Sequence, residues 1–308
     1  MPVNHEEDLI LVTGASGKQA PHLLRHLFGK WKRLRLQAFS EASVQRLKKD
    51  YPQAKVMQAD MNHPDHAARL LDGVTAIWHV GPSFHHHETQ IGYTMIDAAV
   101  KEAQNPGSKF QHFVYSSVLQ TQLRKLLNHD AKRYVEEYLM ESGLNFTILQ
   151  PSHFLNNFPL PMLAQQEEPV FKAPYNLNAF SFSILEDYGE AAAKVFEERE
   201  KHYFAQYPLV STYPTHYEDV VAEASRAIGK EVKVEKLSFE QAVEGMAQRI
   251  FTGEVHPRAR YACERLLLYY NRRGLIGSPT VMEWLLERKA MSVARWMKVT
   301  VENVRSAQ

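Results

Sequence analysis

The 308-residue chain has the composition of an ordinary globular protein, with 44% hydrophobic and 23% charged residues. Lysine and arginine number 36 against 35 aspartate and glutamate, so the formal charge of +1 provides no general attraction to nucleic acid or to an anionic membrane. The single cysteine, Cys263, excludes an internal disulfide and a cysteine-rich zinc cluster.

The N-terminal residues and the lengths of the apolar runs bear on the compartment. Residues 1–8 are polar and acidic and lack the apolar stretch of a signal peptide. The apolar runs are far shorter than the roughly 20 residues of a membrane span. We therefore expect a soluble protein of the cytoplasm, with the nucleus left open as an alternative, and no membrane partner.

The first 150 residues alternate between two patterns, short apolar runs and segments with helical spacing. The clearest helix is Glu88–Gln104, in which Ile91, Met95, Ala98, Ala99 and Glu102 separate an apolar face from a solvent-facing one. Another is predicted over Ala131–Glu141 with Tyr134, Val135, Tyr138 and Leu139 on one stripe. Alternation at this pitch predicts parallel βαβ units, and hence an α/β fold with a doubly wound Rossmann sheet. The predicted strands are Leu9–Thr13, Leu34–Phe39, Val56–Gln58, Ala76–Val80, Phe113–Ser116 and Phe146–Leu149.

After Pro151 the pattern changes, and we divide the chain into a Rossmann domain (1–153) and a smaller, mainly helical substrate region (154–308). Some elements of that region are free to rejoin the main sheet. Four prolines within sixteen residues, between 159 and 174, predict irregular chain. Ser238 and Gln241 form a capping-box pattern before a helix. The other predicted elements are helices Ser183–Tyr203 and Tyr217–Ala227, strands Leu209–Thr212 and Val232–Leu237, and further helices to about Val304 with breaks at Gly253–Pro257 and Gly274–Pro279.

A glycine-rich turn follows the first predicted strand. Gly14-Ala15-Ser16-Gly17-Lys18-Gln19-Ala20 leads into a helix predicted over Pro21–Phe28. This spacing allows a sharp turn and a close approach of backbone to a diphosphate, and the helix then presents its free N–H groups to the anion. The turn therefore predicts a dinucleotide site, with phosphate-binding residues Gly14, Ser16, Gly17, Lys18 and Gln19.

The residues after the second and third strands bear on which dinucleotide binds. The second strand ends without a basic residue, but Lys18, Arg46 and Lys48 are candidates to reach a 2′-phosphate, whereas Glu41 opposes one. On this balance we expect NADP(H) rather than NAD(H). Asp60, after the third strand, is a candidate to accept a hydrogen bond from the adenine amino group, and a role at a helix N-terminus is the alternative.

The segment after the fourth strand is a second candidate binding loop. Open sheets bind ligands beyond the carboxyl ends of their strands, so we expect Gly81, Pro82 and Ser83 to contact the cofactor and Phe84 to contact the substrate. The following His85-His86-His87-Glu88 does not predict a metal site, because neighbouring side chains of an extended chain diverge. It indicates a loop that caps a helix or lines the mouth of a substrate pocket.

These motifs resemble the NmrA-like branch of the atypical extended short-chain dehydrogenases/reductases over about residues 8–240. The resemblance implies NAD(P) binding and a Rossmann domain with a small C-terminal domain. The branch includes reductases and a cofactor-binding transcriptional co-regulator that catalyses no reaction. Besides the glycine-rich turn, the resemblance is carried by Val80-Gly81-Pro82, His112–Ser117, Lys132 through Gln150-Pro151, Asp187-Tyr188-Gly189-Glu190 and Leu209–Val234.

The family's usual proton relay is a Tyr-x-x-x-Lys pair with a serine after the fifth strand. The resemblance assigns the lysine position to Lys132 and the serine position to Ser117 or Val118, but Asn128 stands where the tyrosine is expected. Enzymes of the isoflavone-reductase type keep the lysine alone, which implies that Lys132 holds the nicotinamide ribose or exchanges the proton. Asn128 and His129 are the next candidates to polarise a carbonyl, since a histidine can titrate near pH 7. The alternative for His129 is a helix N-terminal residue that binds backbone.

The chain that leaves the sixth strand carries the candidate substrate residues His153 and Phe154, with hydrophobic packing as the alternative. We expect an NAD(P)H-dependent reductase that acts on a small, partly apolar carbonyl, imine or activated alkene. The alternative is a non-catalytic NAD(P) sensor that binds a protein partner, and a third hypothesis is a cofactor-retaining isomerase or cyclase. We expect a small-molecule substrate, a protein partner or a second copy of the chain, no metal, and no direct contact with nucleic acid.

Overall fold

The chain divides into two compact units in the computed structural model, which describes residues 2–175, 179–251 and 254–306. The first unit comprises Met1–Gln122, His129–Gln150 and Tyr188–Tyr207. The second comprises Leu123–Asn128, Pro151–Asp187 and Pro208–Gln308. The division between residues 153 and 154 that the sequence suggested stays a prediction.

The first unit is built on the main sheet, in which the first six strands pair in parallel. The order of the described strands is β3-β2-β1-β4-β5-β6-β9, so the order reverses between β1 and β4. Such a reversal leaves a crevice at the carboxyl ends of the two strands. The strands are β1 (Leu9–Val12), β2 (Arg33–Ala38), β3 (Lys55–Gln58), β4 (Ala76–Val80), β5 (His112–Ser116), β6 (Phe146–Pro151) and, later in the chain, β9 (Ala205–Leu209).

Helices cover this sheet, as the alternating pattern predicted. Alternate residues of β1 face opposite ways. Leu9 and Leu11 join a buried core with α3 (Pro64–Leu71), α4 (Glu88–Gln104) and α5 (Leu127–Glu141). On β4, Trp78 contacts Tyr188 at the start of the chain segment that returns to this unit. The helices are α1 (Ala20–Leu27), α2 (Glu41–Asp50), α3 (Pro64–Leu71), α4 (Glu88–Gln104), α5 (Leu127–Glu141) and α7 (Leu185–Glu198).

The hydrophobic pattern located α4 more accurately than α5. The predicted buried face of α4 is confirmed, since Ile91, Met95, Ala98, Ala99 and Glu102 are all buried. Helix α5 begins at Leu127, four residues before the predicted start. On its predicted apolar stripe Val135 and Leu139 are buried, but Tyr134 is exposed and its ring lies under the Arg133 guanidinium. Aromatic residues can cover such a cation from the surface, so an aromatic side chain alone was a poor marker of the core.

The strand predicted over Leu209–Thr212 is wrong in its position, because the structure places strand β9 at Ala205–Leu209. The hydroxyl groups of Ser211 and Thr212 explain the difference. They accept the backbone N–H groups of Ile184 and Phe182, at 3.0 Å and 2.9 Å, and the backbone N–H of Ser211 donates to the oxygen of Phe182 at 2.7 Å. These contacts bind the segment to residues 182–184 and not to the main sheet.

The second unit contains two small sheets and a set of helices. β7 (Val170–Ala173) pairs in parallel with β11 (Lys233–Lys236), and β8 (Ala179–Phe180) pairs antiparallel with β10 (Thr215–His216). The segment predicted to be irregular therefore holds one short helix and one short strand. The helices are α6 (Leu160–Gln165), α8 (Tyr217–Ile228), α9 (Phe239–Ile250), α10 (Pro257–Tyr270), α11 (Thr280–Leu286) and α12 (Val293–Ser306).

The α/β fold with a doubly wound parallel sheet is confirmed, and so is the capping box of Ser238 and Gln241 at the start of α9. Of the predicted helix break at Gly253–Pro257, Gly253 lies outside the described residues, and α10 begins at Pro257. None of the described helices combines the length and the apolar character that crossing a membrane requires.

Gly189 in α7 provides a test of the packing in the first unit. A Cβ at this position would come within 2.3 Å of the backbone oxygen of His22 in α1, and backbone cannot rotate away as a side chain can. We expect Gly189→Ala to lower the free energy of unfolding by about 1–3 kcal/mol. In α9, a Cβ at Gly245 would meet nothing within 4 Å, so Gly245→Ala should raise stability by roughly 0.5–1 kcal/mol. Urea denaturation measures both changes, and a Gly189→Ala protein as stable as the wild type would contradict this packing.

Candidate functional site

The glycine-rich turn lies at the carboxyl end of β1, beside the reversal of strand order. Gly14 has a positive φ of 56°, and a Cβ on it would lie 3.2 Å from the backbone oxygen of Val80 in β4. A Cβ on Gly17 would lie 3.1 Å from the oxygen of Gly14, which accepts the N–H of Gly17 at 2.9 Å. A side chain at either position would therefore press against neighbouring backbone, and the positive φ of Gly14 adds backbone strain for any other residue there.

Two side chains, Gln37 from β2 and Thr13 directly after β1, fix this turn against the neighbouring strands. The Oε1 atom of Gln37 in β2 accepts the N–H of Gly14 at 2.9 Å, and its Nε2 donates to the oxygen of Ala59 at 2.7 Å. On the other side, Thr13 Oγ1 accepts the N–H of Val80 at 2.9 Å. Because these hydrogen bonds are buried or partly buried, the turn is held in place before any ligand arrives.

The residues that follow the turn lead into helix α1. Ser16 and Gln19 are half-buried, and Gly17 and Lys18 are exposed. Gln19 Oε1 accepts the hydroxyl of Ser116 at 2.7 Å, which fixes that side chain against the end of β5. The first N–H groups of a helix lack partners within the helix and attract anions. The turn and the helix N-terminus together fit a diphosphate.

A basic side chain and an aromatic one lie near the end of β2. Arg46 of α2 donates through Nη2 to the oxygen of Ser16 at 2.9 Å, so its guanidinium lies against the turn. Phe39, directly after β2, is 71% exposed, and Glu41 accepts a hydrogen bond from Gln45. Asp60 is also exposed, and its Oδ1 accepts the N–H of Asn62 at 2.9 Å. Asp60 therefore lies in the turn before α3, whose N-cap is His63, and its contact with adenine stays a prediction.

The loop after β4 contains an unusual backbone conformation. Phe84 has a positive φ of 66°, which is uncommon for a residue with a side chain and costs on the order of 1 kcal/mol. Its N–H donates to Glu88 Oε2 at 3.0 Å. The rings of His85 and His86 stack with centroids 4.4 Å apart, and among the described residues no three His, Cys, Asp or Glu side chains are arranged to hold a metal ion.

Lys132 is buried and ion-paired. Its Nζ lies 2.5 Å from Glu88 Oε1, and the two side chains are 7% and 2% exposed. Sequence reasoning placed Glu88 at the start of a helix, in a loop that caps it or lines the mouth of a substrate pocket, and missed this contact. An acidic residue in the first turn of a helix is common because it complements the helix dipole, so nothing in the local sequence marks Glu88 as the partner of a lysine 44 residues away.

The serine candidate Ser117 is engaged by a second buried carboxylate. Its hydroxyl donates to Glu136 Oε1 at 2.5 Å, and Glu136 also accepts from Gln150 Nε2 and Thr121 Oγ1, both at 2.9 Å. The proton of the Ser117 hydroxyl is therefore used within the protein. The sequence places Glu136 one turn after Lys132 but gives no signal of this network.

Asn128 and His129 lie in the first turn of α5 rather than in a preceding loop. The Oδ1 atom of Asn128 is buried and has no hydrogen-bond partner among the described residues, which is unusual for a buried acceptor. The ring of His129 contacts the backbone oxygen of Gln120 at 3.3 Å. Burial lowers the pKa of His129 to about 4, which corrects the expectation of a group that titrates near neutral pH.

In the second unit, His153 is part of a buried aromatic cluster. Its Nε2 lies 2.9 Å from the hydroxyl of Tyr217, and that hydroxyl lies 3.0 Å from the hydroxyl of Tyr175. Burial lowers the pKa of His153 to about 4 and raises the pKa of both tyrosines. The backbone of Phe154 forms a β-bridge with Ser183. These contacts agree with the packing alternative, and substrate contact by His153 and Phe154 stays a prediction.

Three solved structures share this fold at low sequence identity. A crystal structure of the Escherichia coli NADPH-dependent quinone oxidoreductase with NADPH gives a TM-score of 0.73 at 19% identity, over 94% of this chain and 99% of that one. The Citrobacter sp. triphenylmethane reductase with NADP(H) gives 0.75 at 17%, over 96% and 99%. NmrA, a negative transcriptional regulator, in complex with NAD, gives 0.73 at 18%, over 98% of each chain.

The sequence itself matches a family model. A search of the curated proteins gave no match. The model of the NmrA-like family, by contrast, matches residues 6–256, which include the glycine-rich turn, the loop after β4 and Lys132. Since this match spans most of the 308 residues, the chain belongs to the NmrA-like family.

Proposed function

We propose that this chain is an NAD(P)H-dependent reductase that acts on a small, partly apolar carbonyl, imine or activated alkene. The observation that carries the proposal is the buried ammonium group of Lys132, which lies in the same unit as the glycine-rich turn. Burying an ammonium group is costly even when it is paired. Its presence without the usual tyrosine therefore favours a role at the cofactor over a role in folding alone.

The proposed cofactor site consists of residues at the carboxyl edge of the main sheet. Lys132 would hold the nicotinamide ribose, and Asp60 would accept from the adenine amino group. When bound, the reduced nicotinamide supplies a hydride, and the protein supplies position and charge. The residues proposed to hold the diphosphate are Gly14, Ser16, Gly17, Lys18 and Gln19, and those proposed to line the cofactor after β4 are Gly81, Pro82 and Ser83.

The groups around Lys132 restrict the substrate class. The hydroxyl of Ser117 donates to Glu136, and the ring of His129 is neutral at pH 7 because burial lowers its pKa to about 4. General acid catalysis contributes about 10²–10⁴-fold to a rate when a proton must move in the same step. A substrate in which the added charge spreads over a conjugated system depends less on such an acid. We therefore favour quinones, conjugated enones and cationic dyes over simple ketones, in keeping with the two neighbouring reductases.

The same site supports a second candidate, a non-catalytic sensor of the nicotinamide redox state that binds a protein partner. The observation that favours it is Asn128 in the tyrosine position, together with the engaged Ser117. The neighbouring regulator NmrA has this fold and binds NAD. Oxidation of NADPH in the presence of a quinone, an enone, an imine and a simple ketone tests the reductase. A protein whose capture by the chain differs between NADP⁺ and NADPH, with no turnover of any acceptor, would favour the sensor.

Lys132→Ala tests the central residue. We expect the dissociation constant for NADPH to rise at least tenfold, or quinone turnover to fall at least a hundredfold, because the ribose loses a charged hydrogen-bond donor. Calorimetry and NADPH oxidation measure the two effects, and a thermal melt confirms that the variant is folded. Lys101→Ala, an exposed lysine of α4, is the matched control. Unchanged affinity together with unchanged turnover would remove Lys132 from the site.

Arg46→Ala tests the preference for NADP(H). If Arg46 pairs with the 2′-phosphate, its loss should weaken NADPH binding about tenfold and leave NADH binding within twofold. Arg33, at the opposite end of β2, donates to the oxygen of Glu7, and Arg33→Ala serves as the control. An equal loss of binding affinity for NADPH and NADH would show that Arg46 acts on the turn through Ser16 and not on the 2′-phosphate.

His129 predicts how the free energy of unfolding depends on pH. Its pKa of about 4 in the folded chain lies below the ordinary 6.5, so the unfolded chain binds more protons between these values. The stabilisation from the neutral ring is complete above pH 6.5 and is lost as the pH falls toward 4. His129→Gln should therefore reduce the loss of unfolding free energy between pH 7 and pH 4 by roughly 3 kcal/mol. Urea denaturation at the two pH values measures this, and an unchanged difference would contradict a buried neutral ring.

A further inference from the structure

The contact between Glu88 and Lys132 joins two helices that begin at the carboxyl edge of the main sheet. Glu88 is the first residue of α4, and Lys132 lies in the second turn of α5. An ammonium group in this environment needs a counter-charge, and Glu88 Oε1 supplies it at 2.5 Å. Among the described residues, Glu88 is the salt-bridge partner of Lys132.

Glu88 uses its other oxygen to hold the loop after β4. Oε2 accepts the N–H of Phe84 at 3.0 Å, and Phe84 has the positive φ of 66°. Such a backbone conformation persists only where the surroundings enforce it. A single carboxylate therefore fixes both a lysine on α5 and the strained backbone of the loop.

This carboxylate also lies beside the residue at which the loop begins. A Cβ placed on Gly81 would be 3.9 Å from Glu88 Cγ and 4.0 Å from Oε1, the oxygen that pairs with Lys132. The ion pair is therefore next to the segment that we propose to line the cofactor, and is not a remote brace of the helices.

His79 and Tyr115, which lie near the pair, carry no charge at pH 7. Burial, followed by the charge of Lys132, lowers the pKa of His79 to about 3, so its ring is neutral at pH 7. Burial, followed by the charge of Glu88, raises the pKa of Tyr115, which stays protonated. The carboxylate of Glu136 is surrounded by the hydroxyl and amide donors already described.

We infer that Glu88 is a positioning residue for Lys132: it holds the ammonium group at the end of β4 and couples its position to the loop Gly81–His87. This inference rests on the proposed role of Lys132 at the cofactor. The competing explanation is an ion pair that only stabilises the fold. The two explanations differ in whether the effect of Glu88 on cofactor binding passes through Lys132.

A double-mutant cycle separates them. The variants are Glu88→Gln, Lys132→Met and the double variant. Gln keeps the size of Glu, each single variant leaves one buried charge of the pair without its partner, and the double variant removes both charges. We expect Glu88→Gln to weaken NADPH binding five- to tenfold in the wild-type background and by less than twofold in the Lys132→Met background. The same weakening in both backgrounds would overturn the inference. Calorimetry provides the dissociation constants, and thermal melts exclude unfolding as the cause.

A second measurement needs no cofactor. Competitive acylation followed by mass spectrometry reports the reactivity of each lysine, and an amine held by a carboxylate reacts slowly. We expect Glu88→Gln to raise the rate at Lys132 at least threefold relative to Lys101, which is exposed on α4. The control is Glu102→Gln: Glu102 is a buried carboxylate near the other end of α4 that accepts from Gly73 and Asn105, so both readouts should stay at wild-type values.

The two measurements also distinguish this inference from the proposed function. If the wild-type protein binds neither NADPH nor NADP⁺, the proposed function fails, and the acylation rate alone decides whether Glu88 holds Lys132. An acylation rate at Lys132 that does not respond to Glu88→Gln would overturn the positioning role, whatever the cofactor data show.

Discussion

The site in the first unit depends on one constraint, the close approach of the backbone after β1 to the end of β4. Gly14 can lie against the oxygen of Val80 only because it has no side chain, and Thr13 and Gln37 then fix the turn to β4 and β2. A turn that is already ordered loses little conformational freedom when an anion binds. The same packing leaves the end of β4 next to the turn, so the loop Gly81–His87 and its carboxylate begin at that point.

The sequence predicted the parts of this arrangement that depend on neighbouring residues. Four features depend on residues within about one or two helical turns of each other, and the sequence predicted their positions: the glycine spacing, the start of α1, the buried face of α4 and the capping box of α9. The errors have a common physical origin. The Leu209–Thr212 prediction failed because Ser211 and Thr212 bind backbone groups of Phe182 and Ile184, about 30 residues earlier, and such tertiary partners leave no periodic signal.

Glu88 is the clearest case of a residue that sequence patterns alone do not reveal. A buried lysine at a cofactor site must have an anionic partner, so the existence of a carboxylate could have been predicted from Lys132. The identity of that carboxylate could not have been predicted, because Glu136, one turn away on the same helix, is the better candidate by spacing. In the structure Glu136 is instead satisfied by Ser117, Thr121 and Gln150, and the distant Glu88 takes the lysine.

The reductase and the sensor need the same glycine-rich turn, so binding alone does not decide between them. They differ in whether a proton can reach the reduced substrate. Ser117 donates to Glu136, the rings of His79 and His129 are neutral at pH 7, and Tyr115 is buried, which leaves the ammonium group of Lys132 as the candidate proton carrier of the proposed site. The carboxylate of Glu88, at 2.5 Å, holds this ammonium group in place. This arrangement suits a lysine that binds the cofactor throughout the reaction. It also suits substrates that take up their proton from solvent after the hydride has been transferred.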